Sequence, residues 1–201
     1  MSQITVPDYD DLFLSGLRVR SPAQVNRSVW TGSRKVIGMA GAEVWIAQAV
    51  IDTQATELAE RPWRAFLFGL RGQVNFFRWY LPCSNHIGPK PTVDAGAVAG
   101  AYTLPLRSMA PSTLVLQAGQ FMTVPMPSGK YRTVCLTADL VSDSSGDATA
   151  TFEPALNEAA AEGATVETAD PFIDFALVEP EQGFDYQDGI SGAAFDVEEY
   201  R

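Results

Sequence analysis

The sequence has few of the residues on which most catalytic and metal sites depend. Its 201 residues include one histidine and two cysteines. A single imidazole, that of His86, removes most histidine-centred catalytic and zinc schemes. Cys83 and Cys135 lie far apart, without CxxC or Cys/His ligand spacing, so we expect two thiols with no special role. The sequence therefore predicts neither a metal site nor a cofactor.

Long apolar runs and phosphate-binding loops are also missing. No run approaches the roughly 18 consecutive apolar residues of a membrane helix, so we expect no membrane insertion. Residues 1–11 are acidic, whereas a signal peptide is basic and then apolar, so we expect a protein made and kept in a cytoplasm-like compartment. Neither standard spacing of a glycine-rich phosphate loop occurs.

Three kinds of side-chain group remain as candidates for chemistry. They are the pair Cys83 and His86, the acidic pairs Asp185–Asp188 and Glu198–Glu199, and the aspartates Asp139, Asp143 and Asp147. The thiol and imidazole lack an evident orienting group, and the acidic pairs lie in an acidic tail where solvated charge is the usual explanation. The aspartates lack EF-hand spacing and fit a tight turn around Gly146. We therefore predict that the protein is not an enzyme.

Charge is unevenly distributed along the chain. The formal net charge is −10, yet residues 139–201 hold 16 acidic residues and one basic residue, whereas residues 1–138 hold 8 acidic and 13 basic residues. The acidic total argues against nucleic-acid binding, which needs a concentrated basic face. The unevenness fits a solvated acidic face. It also fits a homo-oligomer in which an acidic edge meets a basic edge of the next subunit, an assembly that salt would weaken.

The first 82 residues predict strands and one helix. Residues 1–27 alternate as short edge strands or an arm, and residues 27–37 and 42–51 predict a hairpin around a turn at 38–41. A helix follows, capped by Asp52 or Thr53 and ended by Gly72, with Pro62 as a second possible start or a kink. Its apolar face comprises Leu58, Trp63, Phe66, Leu67 and Leu70. Residues 73–82 then predict a strand that is covered on both faces.

The remainder predicts short strands without helices. Residues 84–92 form the best candidate linker, after which strands are predicted at 98–106, 112–116, 120–126, 131–140, 148–152, 165–168 and 173–178. This spacing favours a small β-barrel or sandwich. The tail at 183–201 alternates again and is expected to pair with the first region. The predicted organisation is a discontinuous domain of residues 1–86 plus 182–201, with residues 87–181 inserted.

Several short phrases resemble those of phage tail proteins. They are residues 117–124 (QAGQFMTV), 131–134 (YRTV), 145–156 (SGDATATFEPAL) and 163–167 (GATVE), together with the helix-then-strand pattern of 63–72 (WRAFLFGLRG) and 76–79 (FFRW). The resemblance spans roughly residues 28–200 and is to the distal tail and baseplate proteins of long-tailed bacteriophages. It departs at Pro125 and Pro127, where a strand ladder would normally continue.

The resemblance implies a mainly β fold with one main helix: a split, ring-forming belt domain of strands plus a helix, and an inserted small β-barrel. It implies a structural virion protein of the tail tip, assembled in the host cytoplasm, whose ring joins the tail tube to the baseplate or receptor-binding apparatus. Its partners would be further copies of itself, with a hexamer favoured over a trimer, the tail tube protein, and baseplate hub and tip proteins. The alternative is a carbohydrate-binding tail module that uses exposed rings such as Tyr102 or Tyr131.

Overall fold

The computed structural model describes residues 1–81, 86–181, 183–187 and 190–201. The protein is mainly β, with 44% of residues in strands, a curled half-barrel sheet, and a single helix among the described residues. The predicted mainly β fold with one main helix is therefore confirmed.

The elements divide among four sheets and one helix. The strands are β1 (Gln3–Ile4), β2 (Leu12–Arg20), β3 (Ala23–Arg27), β4 (Arg34–Gly38), β5 (Val44–Gln54), β6 (Phe76–Tyr80), β7 (Thr92–Val93), β8 (Thr103–Arg107), β9 (Leu114–Leu116), β10 (Phe121–Pro125), β11 (Tyr131–Leu136), β12 (Leu140–Val141), β13 (Ala148–Glu153), β14 (Phe172–Leu177), β15 (Asp185–Gln187) and β16 (Ile190–Glu199); the helix is α1 (Glu57–Leu70). The chain forms two compact units, the first comprising Met1–Val19, Trp45–Trp79 and Ile173–Tyr200, and the second Arg20–Val44, Tyr80–Phe172 and Arg201. The predicted domain organisation, residues 1–86 plus 182–201 and residues 87–181, stays a prediction.

The first unit contains most of a seven-stranded sheet with the order β1-β6-β14-β16-β5-β2, in which β15 also pairs with β16. Strand β16 runs antiparallel to both β5 and β14. The tail therefore returns to pair with the first region, as predicted. In this order β2 is an outermost strand, and β1 lies at the other end.

Helix α1 packs one apolar face against the sheet. Trp63, Phe66, Leu67 and Leu70 are buried as predicted. The ring of Phe66 meets that of Phe77 edge-on, with centroids 5.5 Å apart. Aromatic pairs in this geometry add stability beyond the area that they bury. Leu58 was predicted on the same face, but its side chain is 75% exposed, so that prediction is wrong.

The start of α1 differs from the prediction. The N-cap is Thr56, whose Oγ1 accepts a hydrogen bond from the backbone N–H of Ala59. Strand β5 continues to Gln54 because it pairs with β16 over that length, and this pairing excludes a cap at Asp52 or Thr53. Pro62 lies inside the helix rather than at its start.

The predicted hairpin of 27–37 with 42–51 is wrong. Strand β4 pairs with β3 instead, in an antiparallel ladder from Ala23 opposite Gly38 to Arg27 opposite Arg34. The turn lies at residues 28–33, and β5 joins the large sheet. The prediction that 73–82 is covered on both faces is also wrong, since only Phe77 of β6 is buried and Tyr80 is exposed.

The second unit has an apolar core enclosed by short strands. A five-stranded sheet of order β10-β11-β13-β8-β7 and the pair β12-β9 contribute to it. Core residues include Leu104, Met122, Val134 and Phe152. The ladder between β10 and β11 extends to Pro125 opposite Tyr131, and beyond it the Met126 N–H donates to the Lys130 carbonyl at 2.9 Å. The expected interruption by Pro125 and Pro127 therefore does not occur, because both prolines lie at the end of the hairpin.

Candidate functional site

Among the described residues, a long exposed stretch includes the hairpin of β3 and β4, residues 23–38, here called the hairpin arm. It forms a two-stranded sheet of its own. Every described side chain at 29–40 is exposed, and so are Ala23, Val25 and Arg27. A two-stranded hairpin whose described side chains are this exposed is at best marginally stable in water, so it gains most from a partner.

The tip of the hairpin arm, residues 28–33, is held by its own hydrogen bonds. The Ser28 N–H donates to the Ser33 carbonyl at 2.9 Å, and the Gly32 N–H donates to the Ser28 carbonyl at 3.0 Å. These bonds fix the loop in a shape that directs Val29 and Trp30 outward, each with 96% of its surface exposed. Large apolar side chains displayed in this way are typical of protein contacts.

The hairpin arm is also purely basic in its charge. Residues 12–42 contain five Lys or Arg and no Asp or Glu. Within the arm, Arg27, Arg34 and Lys35 are exposed and form no ion pair with a described residue. Arg27 lies directly opposite Arg34 in the ladder. Like charges at facing positions are unfavourable, so an anionic partner would relieve a repulsion as well as add an attraction.

A second feature, in the first unit, has the opposite charge. Two adjoining depressions of about 350 and 330 Å³, here together called the acidic cleft, share Glu181, Ala194 and Phe195. Leu67 and Leu177 contribute buried atoms to the lining, and the apolar surface that a ligand could reach comes from the half-buried rings of Phe184 and Phe195.

Carboxylates surround the apolar lining of the acidic cleft. Glu179, Glu181, Asp185 and Asp196 line it and are exposed, and none forms an ion pair with a described residue. No lysine or arginine is among the described lining residues. The chemistry of the cleft therefore suits a ligand that combines an apolar group with positive charge.

The candidate residues predicted from the sequence have different outcomes in the structure. Cys83 and Asp188 lie outside the described residues, so the pairs Cys83–His86 and Asp185–Asp188 are not tested. His86 contacts the Gly88 carbonyl through Nε2. The interpretation of the pair Glu198 and Glu199 as solvated charge is wrong for Glu199, which is buried and accepts a hydrogen bond from the Trp45 N–H.

The aspartates around Gly146 build a turn. The Asp143 carboxylate accepts from the backbone N–H of Ser145 at 2.7 Å and of Asp147 at 3.0 Å. These bonds, that of Asp147 foremost, lower the pKa of Asp143. Asp139 instead accepts from the Ala118 N–H. The predicted tight turn is confirmed, and no group of three His, Cys, Asp or Glu within the described residues could hold a metal ion.

Tyr102, Glu43 and Glu153 form a small acidic cluster. The Tyr102 hydroxyl donates to Glu43 at 3.3 Å. Burial and the charge of Glu43 raise the pKa of Glu153, and burial together with both carboxylates raises the pKa of Tyr102. The Glu43 carboxylate also accepts from the Gly41 N–H, which holds the turn before β5. The cluster is thus engaged in local structure.

Three other groups also serve the fold. Tyr131 packs edge-on against Phe172, so only Tyr102 of the two proposed sugar-stacking rings is more than a third exposed. Burial raises the pKa of the Cys135 thiol, which favours the protonated form, the less nucleophilic of the two. Burial alone would raise the pKa of Glu167, but the Lys90 ammonium and two backbone N–H groups bind its carboxylate and lower that pKa overall.

Sequence reasoning missed the hairpin arm and the acidic cleft. One signal for the arm was available, since residues 12–42 have no acidic residue in a chain of net charge −10. The charge of the cleft also had a signal, since its four carboxylates lie within the acidic residues 139–201. Its shape had none, because Gln48 of β5 and Leu67 of α1 are distant in sequence from the other lining residues, which lie between 177 and 196.

Comparison with known proteins adds no family assignment. No protein-family model matches the chain, and no curated protein has a matching sequence. No helix among the described residues has the length and apolar character needed to cross a membrane.

Proposed function

We propose that the protein is a non-catalytic structural subunit of a phage tail tip, which forms a homo-oligomeric ring between the tail tube and the baseplate or receptor-binding apparatus. The observation that supports ring formation is the exposed hairpin arm with Val29 and Trp30 at its tip. The tail-tip location rests on the resemblance of the sequence phrases to distal tail proteins.

The hairpin arm supports self-assembly because it is ordered but uncovered. Folding an isolated hairpin costs chain entropy, and this free-energy cost is offset only when the hairpin buries apolar surface. The tip is shaped by internal hydrogen bonds, so it presents a preformed contact and not a loose loop. A preformed contact binds with little further ordering cost.

The edges of the large sheet support the same proposal. Strand β2 is nine residues long and outermost in the sheet order, and it leads directly into the hairpin arm. Long sheet edges invite pairing with another chain unless they are covered. A ring closes such edges against neighbours, and head-to-tail contacts close into a ring when the rotation permits.

Electron microscopy and mass measurement of the purified full chain test the proposal. We expect closed rings, of six subunits in preference to three, with a mass that matches the counted subunits. Immunogold labelling of phage particles that contain the protein should then mark the tail tip. A chain that stays monomeric at its highest soluble concentration contradicts ring formation, and labelling of the capsid alone contradicts the tail-tip location.

A further inference from the structure

We propose that the tip of the hairpin arm docks into the acidic cleft of a second copy of this chain. This inference rests on the proposed function, because it assigns the two surfaces through which the ring would assemble. The juxtaposition it requires is a basic, tryptophan-tipped arm in one copy and an acidic, apolar-lined cleft in the next.

The hairpin arm requires a partner that covers an indole. Trp30 and Val29 are almost fully exposed, so no described part of their own chain covers them. Tryptophans buried at the centre of an interface, inside a polar rim, are among the residues that contribute most binding energy. Arg27 and Arg34 flank the tip on the two strands and would form such a rim.

The acidic cleft has the size and the lining to receive that tip. Its larger depression, of about 350 Å³, falls at the lower end of the range of pockets that hold small organic groups, and so it can take an indole ring. The half-buried rings of Phe184 and Phe195 supply the apolar surface that the indole would contact. Carboxylates around them can meet the guanidinium groups that flank Trp30.

Charge complementarity points to a copy of this chain as the partner. Three cations of the arm, Arg27, Arg34 and Lys35, and four carboxylates of the cleft have no ion-pair partner among the described residues. Each set supplies what the other lacks. Since every copy carries one arm and one cleft, the contact is head-to-tail, the type that generates rings.

Single substitutions test the arm within the intact chain. We expect Trp30→Ala to weaken self-association by about 30-fold or more, as for a central interface tryptophan. Leu58→Ala is the matched control, since Leu58 is an exposed apolar residue on α1. Unchanged thermal unfolding of both variants shows that the fold is kept. Equal association of wild type and Trp30→Ala overturns the proposal.

A charge exchange tests the pairing of the two surfaces. The double variants Arg34→Glu/Lys35→Glu and Glu181→Lys/Asp185→Lys should each lose assembly. A chain that carries all four substitutions should recover it, because the charges are then reversed on both sides. Asp147→Lys/Asp170→Lys adds the same positive charge elsewhere and should assemble normally. Failure of the fourfold variant to recover, or loss in this control, contradicts the assigned contact.

Cross-linking of two different chains shows that the contact joins separate copies. One chain carries Val29→Cys and the other Ala194→Cys, both in a background of Cys83→Ser and Cys135→Ser. A short bis-maleimide should link the mixed chains into dimers, whereas replacing the second chain by one with Val98→Cys should not. Absence of the mixed dimer overturns docking in the cleft.

The outcomes separate this inference from the proposed function. Rings that persist in Trp30→Ala and in both charge variants contradict the docking contact but remain consistent with the proposal that the protein is a ring subunit. A wild-type chain that never assembles contradicts both. Rings that are lost only in the arm and cleft variants, with mixed cross-links present, support both.

Discussion

The turn at Gly146 offers a sharp test of the packing in the second unit. Gly146 has φ 86°, and a Cβ added there would lie 2.4 Å from the Met109 carbonyl oxygen. The Met109 N–H also donates to the Gly146 carbonyl at 3.1 Å, and Met109 belongs to the buried core. Gly146→Ala therefore forces either the turn or Met109 to move. Gly163 is the matched control, since it has φ 79° and nothing within 4 Å of its added Cβ.

The two substitutions share one energetic cost and differ in another. A left-handed alanine costs about 1–2 kcal/mol, part of which is offset by the stiffer unfolded chain, so Gly163→Ala should destabilise by about 1 kcal/mol. Gly146→Ala adds a broken hydrogen bond and a disturbed core methionine, which raise the total to about 3 kcal/mol. In a protein of this size the midpoints of thermal unfolding should fall by about 3 °C and about 9 °C.

Urea unfolding followed by circular dichroism measures the difference directly. Equal slopes for wild type and both variants would show that only stability has changed. If the two variants lose the same free energy of unfolding, within about 0.5 kcal/mol, the close approach of Gly146 to Met109 is wrong and the argument from sterics fails.

Three further predictions concern the helix cap, a buried ion pair and pH. Thr56→Ala should lower the free energy of unfolding by about 1 kcal/mol, whereas Thr53→Ala, at the unused cap position, should change it by less than half of that. Asp174→Ala should cost about 3 kcal/mol in urea unfolding, because it leaves the Arg78 guanidinium without the carboxylate that binds it at 2.9 and 3.1 Å. The pKa of Glu153 is raised, so its favourable contribution is present below the pKa of an unfolded glutamate and is lost as pH rises through the folded value. Glu153→Gln should therefore raise the thermal midpoint at pH 7 and leave it unchanged below about pH 4; an equal gain at both values would contradict this sign.

Much of the local structure could be predicted because periodicity reports burial. Trp63, Phe66, Leu67 and Leu70 recur at helical spacing, and all four are buried in α1. The helix start could not be predicted from local signals, since several residues before it resemble caps. Pairing of β5 with a strand about 140 residues later decided between them.

The hairpin of 27–37 with 42–51 was predicted wrongly for a similar reason, one strand further along the chain than the observed hairpin arm. Turn-forming residues occur both at 28–33 and at 38–41. Trp30 is a large apolar residue of the kind usually found in a buried strand, although it is exposed in this protein. Only the tertiary structure assigns β5 to the large sheet and leaves β4 to pair with β3. A sequence pattern cannot distinguish an apolar residue that is buried in the core from one that is exposed on the surface.

The burial of two carboxylates also could not be predicted from the sequence. Asp174 and Glu199 belong to residues 139–201, which are strongly acidic, yet both are buried. Asp174 is bound by Arg78, and Glu199 accepts from the Trp45 N–H. Both partners are distant in sequence, so composition alone could not reveal that these two carboxylates are buried.

Salt separates the charged and apolar parts of the proposed contact. Raising ionic strength shortens the screening length from about 10 Å at 0.1 M to about 3 Å at 1 M, so the attraction between arm cations and cleft carboxylates should fade. Burial of Trp30 is not screened in this way. Sedimentation of wild type should therefore show weaker assembly at high salt, and Trp30→Ala should be the weaker of the two at every salt concentration. Because Arg27 opposes Arg34 within the hairpin arm, the same salt should relieve their repulsion in the monomer. Loss of assembly at high salt therefore cannot be attributed to a destabilised arm, and assembly that is indifferent to salt would contradict the electrostatic part of the contact.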